Sequence, residues 1–168
     1  MTTFTIRRLT PADLAAYRAL RDEGLVRDSD AFRISVADDD ALGEQAWRDR
    51  LARDFVVGVE RGGQLVGIGG FARLPGEKAS HKGLIWGMYV HPDARGAGVA
   101  DLIMTTLLDF ARSCVRQVQL TVAADNPRAV AFYERHGFIG YGVEPASIRR
   151  DRPEGSVYAD EALMWRLV

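Results

Sequence analysis

The stretch Met88-Tyr89-Val90-His91-Pro92-Asp93-Ala94-Arg95-Gly96-Ala97-Gly98-Val99-Ala100 combines residues able to hold an anion. An apolar strand runs into a loop with two glycines, and an amphipathic helix follows. The first-turn N–H groups of a helix have no internal partners, and the helix dipole adds positive potential at that end. Gly96 and Gly98 carry no side chains, so phosphates can approach the backbone, and Arg95 offers a cation. The arrangement suits a pyrophosphate. An isolated Gly-x-Gly has a second use, which is to shape a tight strand-to-helix turn with no ligand. No Gly-Lys-Ser/Thr follows, so the loop is not a Walker loop. Asp101 stands where a third glycine would complete Gly-x-Gly-x-x-Gly, so it is not a dinucleotide fingerprint either.

Other chemically capable residues are scattered. His81, His91 and His136 have no metal-ligand spacing, and with one cysteine no metal site is expected. His136 reads as a dipole partner in the last turn of a helix. Cys114 falls near the end of an amphipathic helix, a place for a buried neutral thiol rather than a nucleophile. Asp38-Asp39-Asp40 could attract a cationic amine, but a solvated loop with Asp40 as N-cap explains them more economically.

The elements that must position these residues follow from periodicity and punctuation. Phe4–Arg8 reads as a strand. Thr10-Pro11 opens a helix whose apolar face is Leu14, Tyr17 and Leu20. Residues 28–40 read as polar loop and 41–53 as a second helix. Strands are expected at 55–60 and 64–73, joined by a Gly62-Gly63 hairpin turn, and at 84–90. Ala100, Ile103, Met104, Leu107, Leu108 and Ala111 lie on one helical face. A strand at 117–123 follows. Asn126-Pro127 then starts a helix with Asn126 as N-cap, and Gly137 suits the left-handed position past its end. Strands at 138–141 and 158–167 complete the chain. The hairpin portion should be antiparallel and the strand–helix–strand unit at 84–123 parallel. The fold class is α/β with a mixed sheet, and residues 1–168 read as a single domain.

Composition bounds the partners. The 168 residues include 22 Lys plus Arg and 23 Asp plus Glu, for a net charge of −1, so no polyanion-binding surface is expected and nucleic acid is not a predicted partner. The N-terminus MTTFTIRRLTPAD lacks a signal-peptide core, and no run approaches the ~18–20 apolar residues of a membrane span. A cytoplasmic location, with no membrane partner, is the resulting expectation.

Two landmarks then resemble one family. Arg95-x-x-Gly98-x-Ala100 is similar to the Arg/Gln-x-x-Gly-x-Gly/Ala signature of the GNAT N-acetyltransferases, and Met88-Tyr89-Val90-His91-Pro92 resembles the strand that enters it. Asn126, Ala129, Tyr133, Gly137 and Phe138 resemble the family's Asn-x-x-Ala-x-x-x-Tyr-x-x-x-Gly-Phe pattern. The order of elements agrees from end to end.

The resemblance implies the GNAT-like acyl-CoA N-acyltransferase fold, with about four helices flanking the sheet. It implies acetyl transfer from acetyl-CoA directly to a primary amine, with no metal. Backbone groups of Met88-Tyr89-Val90 should bond the pantetheine and the acetyl carbonyl. Backbone N–H groups of Arg95, Gly96, Ala97, Gly98, Val99 and Ala100 should hold the pyrophosphate, with Asn126 beside the pantetheine. Tyr133 matches the tyrosine that protonates the departing thiolate. Read without the motif, it is a helix residue packed by its ring.

Many members place a basic carboxylate on the signature strand, but residues 83–90 contain no Asp or Glu. His81, Glu60, Glu23 and Asp28 stay open as bases, each otherwise a solvated surface group. Residues 28–40, the second helix and the segment near Tyr158 should form the acceptor site, with Phe32, Trp47, Trp86 and Tyr158 as candidate wall residues; for Trp47 and Trp86 core packing is the favoured reading. Members are often homodimers. The competing reading is a non-catalytic acyl-CoA-binding or regulatory domain on the same fold.

Overall fold

The computed structural model describes residues 3–168; Met1 and Thr2, part of the N-terminal stretch read above, lie outside them. Seven strands form one sheet in the order β1-β2-β3-β4-β5-β7-β6. They are β1 (Phe4–Arg8), β2 (Phe55–Arg61), β3 (Gln64–Arg73), β4 (Lys82–Val90), β5 (Gln117–Ala123), β6 (Ile139–Arg152) and β7 (Gly155–Leu167). The helices are α1 (Leu14–Arg27), α2 (Val36–Arg53), α3 (Val99–Arg112) and α4 (Pro127–Arg135). Every pairing is antiparallel except β4 with β5.

The expected pattern holds over most of the chain. Thr10 and Asp13 form a capping box around Pro11, although the first turn is 3-10 and α1 proper starts at Leu14. Ile103, Met104 and Leu107 are fully buried, and Leu108 is nearly so. They pack against Val57, Val66, Val118 and Leu120 on one face of the sheet. Leu107→Ala should therefore cost about 2–5 kcal/mol, since the cleft left behind cannot collapse fully. A thermal melt matching the parent would show that this face does not carry the core.

Two segments differ from the sequence reading. Residues 28–40 are not a solvated loop. A 3-10 turn occupies Ser29–Ala31, and α2 begins at Val36, capped by Ser35. Gly43, at φ 78°, breaks α2 into two helical pieces. The three aspartates thus sit in a helix, each with its own structural partner. Asp38 completes the capping box with Ser35, Asp39 is buried against Arg21, and Asp40 pairs with Arg18. None is free to draw in an amine, and Ser35, not Asp40, is the cap. The last hairpin is also longer than expected: β6 and β7 pair from Ile139↔Trp165 to Arg152↔Gly155. Its outer half is charged because β6 is an edge strand open to water, so polarity there did not exclude a strand.

Candidate active site

The parallel pairing of β4 with β5 covers only Lys82–Leu84 against Gln117–Gln119. Beyond Leu84 and Gln119 the two strands part. Each keeps its other neighbour: β3 pairs β4 as far as Val90, and β7 pairs β5 as far as Ala123. The facing edges are left with unpaired backbone groups, which a ligand must satisfy if water is displaced. A cleft of about 1420 Å³ fills the gap, lined by residues of both strands, the ends of α3 and α4, and the 28–34 segment. Because the sheet itself opens, the cleft connects its two faces. One carries α3 and α4; the other carries α1 and α2.

A bulge marks the middle of the open edge. The β3–β4 register slips between Ile68↔Tyr89 and Gly70↔Trp86, and Gly87 has φ 63°. That left-handed geometry favours glycine and re-aims the backbone of the residues after it. A Cβ at Gly87 would also lie 2.9 Å from Arg21 Nη1. Met88 then packs toward α3 and Tyr89 toward α1. The Tyr89 hydroxyl donates to Glu23 Oε1 at 2.8 Å. Burial, then that carboxylate, pushes the phenol up to about 12.

The glycine loop has the anticipated shape. Gly98 is the N-cap of α3 with φ 80°, and no side chain caps the helix. The first N–H bonded into the helix is that of Leu102, to the Gly98 carbonyl at 2.9 Å. The earlier N–H groups have no partner within the helix, and Gly98, Val99, Ala100 and Asp101 line the cleft. Arg95, Gly96, Gly98, Val99 and Ala100 line it, whereas Ala97 is exposed outside the lining. Arg95 is not a free cation. Its Nε donates to the Val90 carbonyl at 2.9 Å and its Nη2 pairs with Asp28 at 2.7 Å. It ties the end of β4 to the segment after α1, and its contribution toward an anion is its backbone.

On the other side, Asn126 caps α4 by accepting from the Ala129 N–H at 3.1 Å, and it lines the cleft. Tyr133 lies on α4 at the cleft wall, half-buried, with its ring edge-on to Phe132 and Phe138. Burial alone raises its phenol to about 12. Met88, Tyr89, Val90, Asn126 and Tyr133 thus share one cavity.

The candidate bases separate. His81 is exposed at the far end of β4, and Glu60 pairs with Arg7; neither lines the cleft. Glu23 is held by Tyr89 outside the lining, and Asp28 lines it but is bound to Arg95. Cys114 is half-buried with its thiol toward the Phe110 carbonyl, away from the cleft. Phe32 is a wall as expected, and Trp86, for which the sequence favours core packing, lines the cleft as well. Trp47 is fully buried core, and Tyr158 is 63% exposed outside the cleft. The long hairpin turns Tyr158 outward, so it cannot serve as a wall.

Glu161 was missed. It is 4% exposed on β7 and lines the cleft. It accepts from Thr121 Oγ1 at 3.1 Å and Ser147 Oγ at 2.7 Å, and it pairs with Arg33 at 2.8 Å. Alternation along Ala159 and Glu161 put a carboxylate on the inward side of a strand, the signal that could have found it.

Residues 17–138 match the acetyltransferase (GNAT) family. Among curated relatives, the chain is 36% identical over 107 residues to N-alpha-acetyltransferase RimI of Mycobacterium tuberculosis, covering 62% of this chain and 66% of that protein. It is 26% identical over 141 residues to mycothiol acetyltransferase of Renibacterium salmoninarum, covering 82% and 41%. The chain therefore spans about two-fifths to two-thirds of the length of these relatives. Among solved structures, a GNAT-family acetyltransferase from Streptococcus pneumoniae superposes with TM-score 0.81 at 22% identity, covering 99% of this chain and all of that one. YncA of Salmonella typhimurium, solved with its cofactor acetyl-CoA, gives 0.79 at 20% identity, covering 99% and 94%. With its glycine loop, split sheet and matching sequence span, this chain belongs to the acetyltransferase (GNAT) family.

Proposed function

We propose that this protein transfers the acetyl group of acetyl-CoA directly to a primary amine. The observation that supports this most is the parting of β4 and β5 beside an uncapped helix start. A pantetheine arm can use the unpaired edge of β4 as a strand would, while its pyrophosphate meets the open N–H groups at Gly98–Ala100. The acetyl carbonyl then falls near the Gly87 bulge, where backbone N–H groups polarise it as the tetrahedral intermediate forms. Because the gap joins both faces of the sheet, the amine enters from the α1/α2 side and attacks the carbon directly. The C–N bond forms and the attacking nitrogen loses a proton to solvent; as the C–S bond breaks, Tyr133 gives a proton to the thiolate and is reprotonated from solvent. RimI is named for action at α-amino groups, which supports an amine of that class here.

The reading is tested by screening primary amines while following thiol release from acetyl-CoA. Release that depends on both an amine and the protein is expected; acetyl-CoA binding with no release across the panel would leave only a binding domain. The pyrophosphate assignment has its own test. An added Cβ at Gly98 meets nothing within 4 Å, so Gly98→Val projects into the space assigned to phosphate. Affinity for acetyl-CoA should fall at least tenfold, or about 1.4 kcal/mol. The positive φ also adds backbone strain of about 1–3 kcal/mol, so calorimetry is done on protein shown to be folded. Unchanged affinity in that folded variant would move the pyrophosphate elsewhere.

A further inference from the structure

The charges on the cleft wall are almost completely matched. Glu161 pairs with Arg33, Asp54 with Arg53, Asp28 with Arg95, Asp125 with Arg150, and Asp30 with Arg152. Among the described residues, two lining arginines have no carboxylate partner. Arg128 is exposed on the first turn of α4, in the half of the cleft assigned to the cofactor. Arg50 is half-buried on α2, in the other half.

Arg50 is nonetheless held firmly. Its guanidinium lies 4.8 Å from the ring centroid of Trp47 and 5.1 Å from that of Trp86. Trp47 is itself fixed by a 3.0 Å hydrogen bond from its Nε1 to the Asp39 carbonyl. Stacking on aromatic faces satisfies the flat surfaces of a guanidinium and leaves its N–H edge to donate. Arg21 stacks on the same two rings, at 4.9 and 5.9 Å, with its Nε and Nη2 on Asp39 and its Nη1 against Gly87. Arg21, whose charge Asp39 neutralises, thus touches both the two rings and the bulge. Trp86 immediately precedes that bulge, so this pre-set donor fork is beside the reacting end of the cleft.

We infer that Arg50 receives a carboxylate of the acceptor, so that the amine substrate is an amino acid or a peptide bearing an acidic group. The inference rests on the transferase reading given above and names its substrate class. A planar fork with two free N–H groups matches a carboxylate bidentately. A neutral or cationic acceptor would leave Arg50 desolvated without a partner, an arrangement that selects against it.

The test measures binding first, so that it stands without turnover. N-acetylglycine, N-acetyl-β-alanine and N-acetyl-4-aminobutyrate are titrated against their uncharged amides on protein loaded with coenzyme A. The readout is tryptophan fluorescence, which reports on Trp47 and Trp86, together with calorimetry. N-acetyl-Ala-Asp-amide against N-acetyl-Ala-Asn-amide separates an acidic peptide side chain from a free amino acid. At least one acid should bind at least tenfold more tightly than its amide. Arg50→Gln should abolish that preference, and Arg50→Lys should restore part of it. Equal binding of acid and amide in every pair, no binding of any acid, or a preference that survives Arg50→Gln would overturn the inference. The corresponding free amines are then assayed for thiol release. Acids that bind with Arg50-dependent preference while no amine releases thiol would refute the transferase reading and keep the carboxylate site.

Discussion

Replacing Tyr133 by Phe should lower the single-turnover rate about 10²-fold and leave acetyl-CoA affinity within a few-fold of the parent. The substitution keeps the ring, which packs edge-on between Phe132 and Phe138, and removes only the hydroxyl at the cleft wall. The proton is needed only when the C–S bond breaks, so the loss falls on the transition state rather than on binding. With its phenol raised to about 12 by burial, Tyr133 keeps its proton throughout the working pH range. Its loss should therefore not appear as an alkaline limb of the pH–rate profile until pH nears 12. Parental single-turnover rates in the Phe variant would reduce Tyr133 to packing. Lost affinity with intact chemistry would make it a binding residue.

Asp39→Ala should destabilise the fold by about 3–5 kcal/mol, the usual cost of leaving one buried charge without its partner. Arg21 and Asp39 are 4% and 2% exposed, and they join α1 to α2. Their distances are 2.5 Å from Nε and 3.2 Å from Nη2. For a chain of this size the melting temperature should drop by at least about 6 °C. The double variant Arg21→Met/Asp39→Leu removes both charges and should recover most of the loss, since an apolar pair of similar volume is often neutral or better. A single variant that melts like the parent would show that water or another group compensates Arg21. A double variant no more stable than the single would show that the cost lies in packing rather than in charge.

The same pair shows where sequence reading stops. Asp38, Asp39 and Asp40 are chemically alike and adjacent, and their fates differ completely. One caps a helix, one is buried in an ion pair and one lies at the surface. Which is which depends on the helical phase of α2 against α1, and that phase is set by contacts with Trp47 and Arg21 rather than by neighbours in the chain. Glu161 was overlooked for a similar reason. Its partner Thr121 is 40 residues away, and its inward orientation depends on the register of β7 against β5. Tyr158 was misplaced because the charged outer half of the last hairpin concealed how far β6 and β7 extend.

What the sequence determined by itself was local. The glycine loop, the N-cap at Asn126, the apolar face of α3 and the left-handed Gly137 follow from conformational rules acting over a few residues, and the structure has each of them. Those features carry the two family landmarks, so the family was legible before any coordinates. The tertiary structure alone decided where β4 leaves β5, which carboxylates are neutralised, and that Arg50 is held between two tryptophans without a counter-ion. Each depends on strands and helices distant in sequence meeting in one register, and the energy that selects it comes from burial of many side chains together. The half of the cleft proposed for the acceptor is made from such contacts, which is why a local reading reached the glycine loop and not this half.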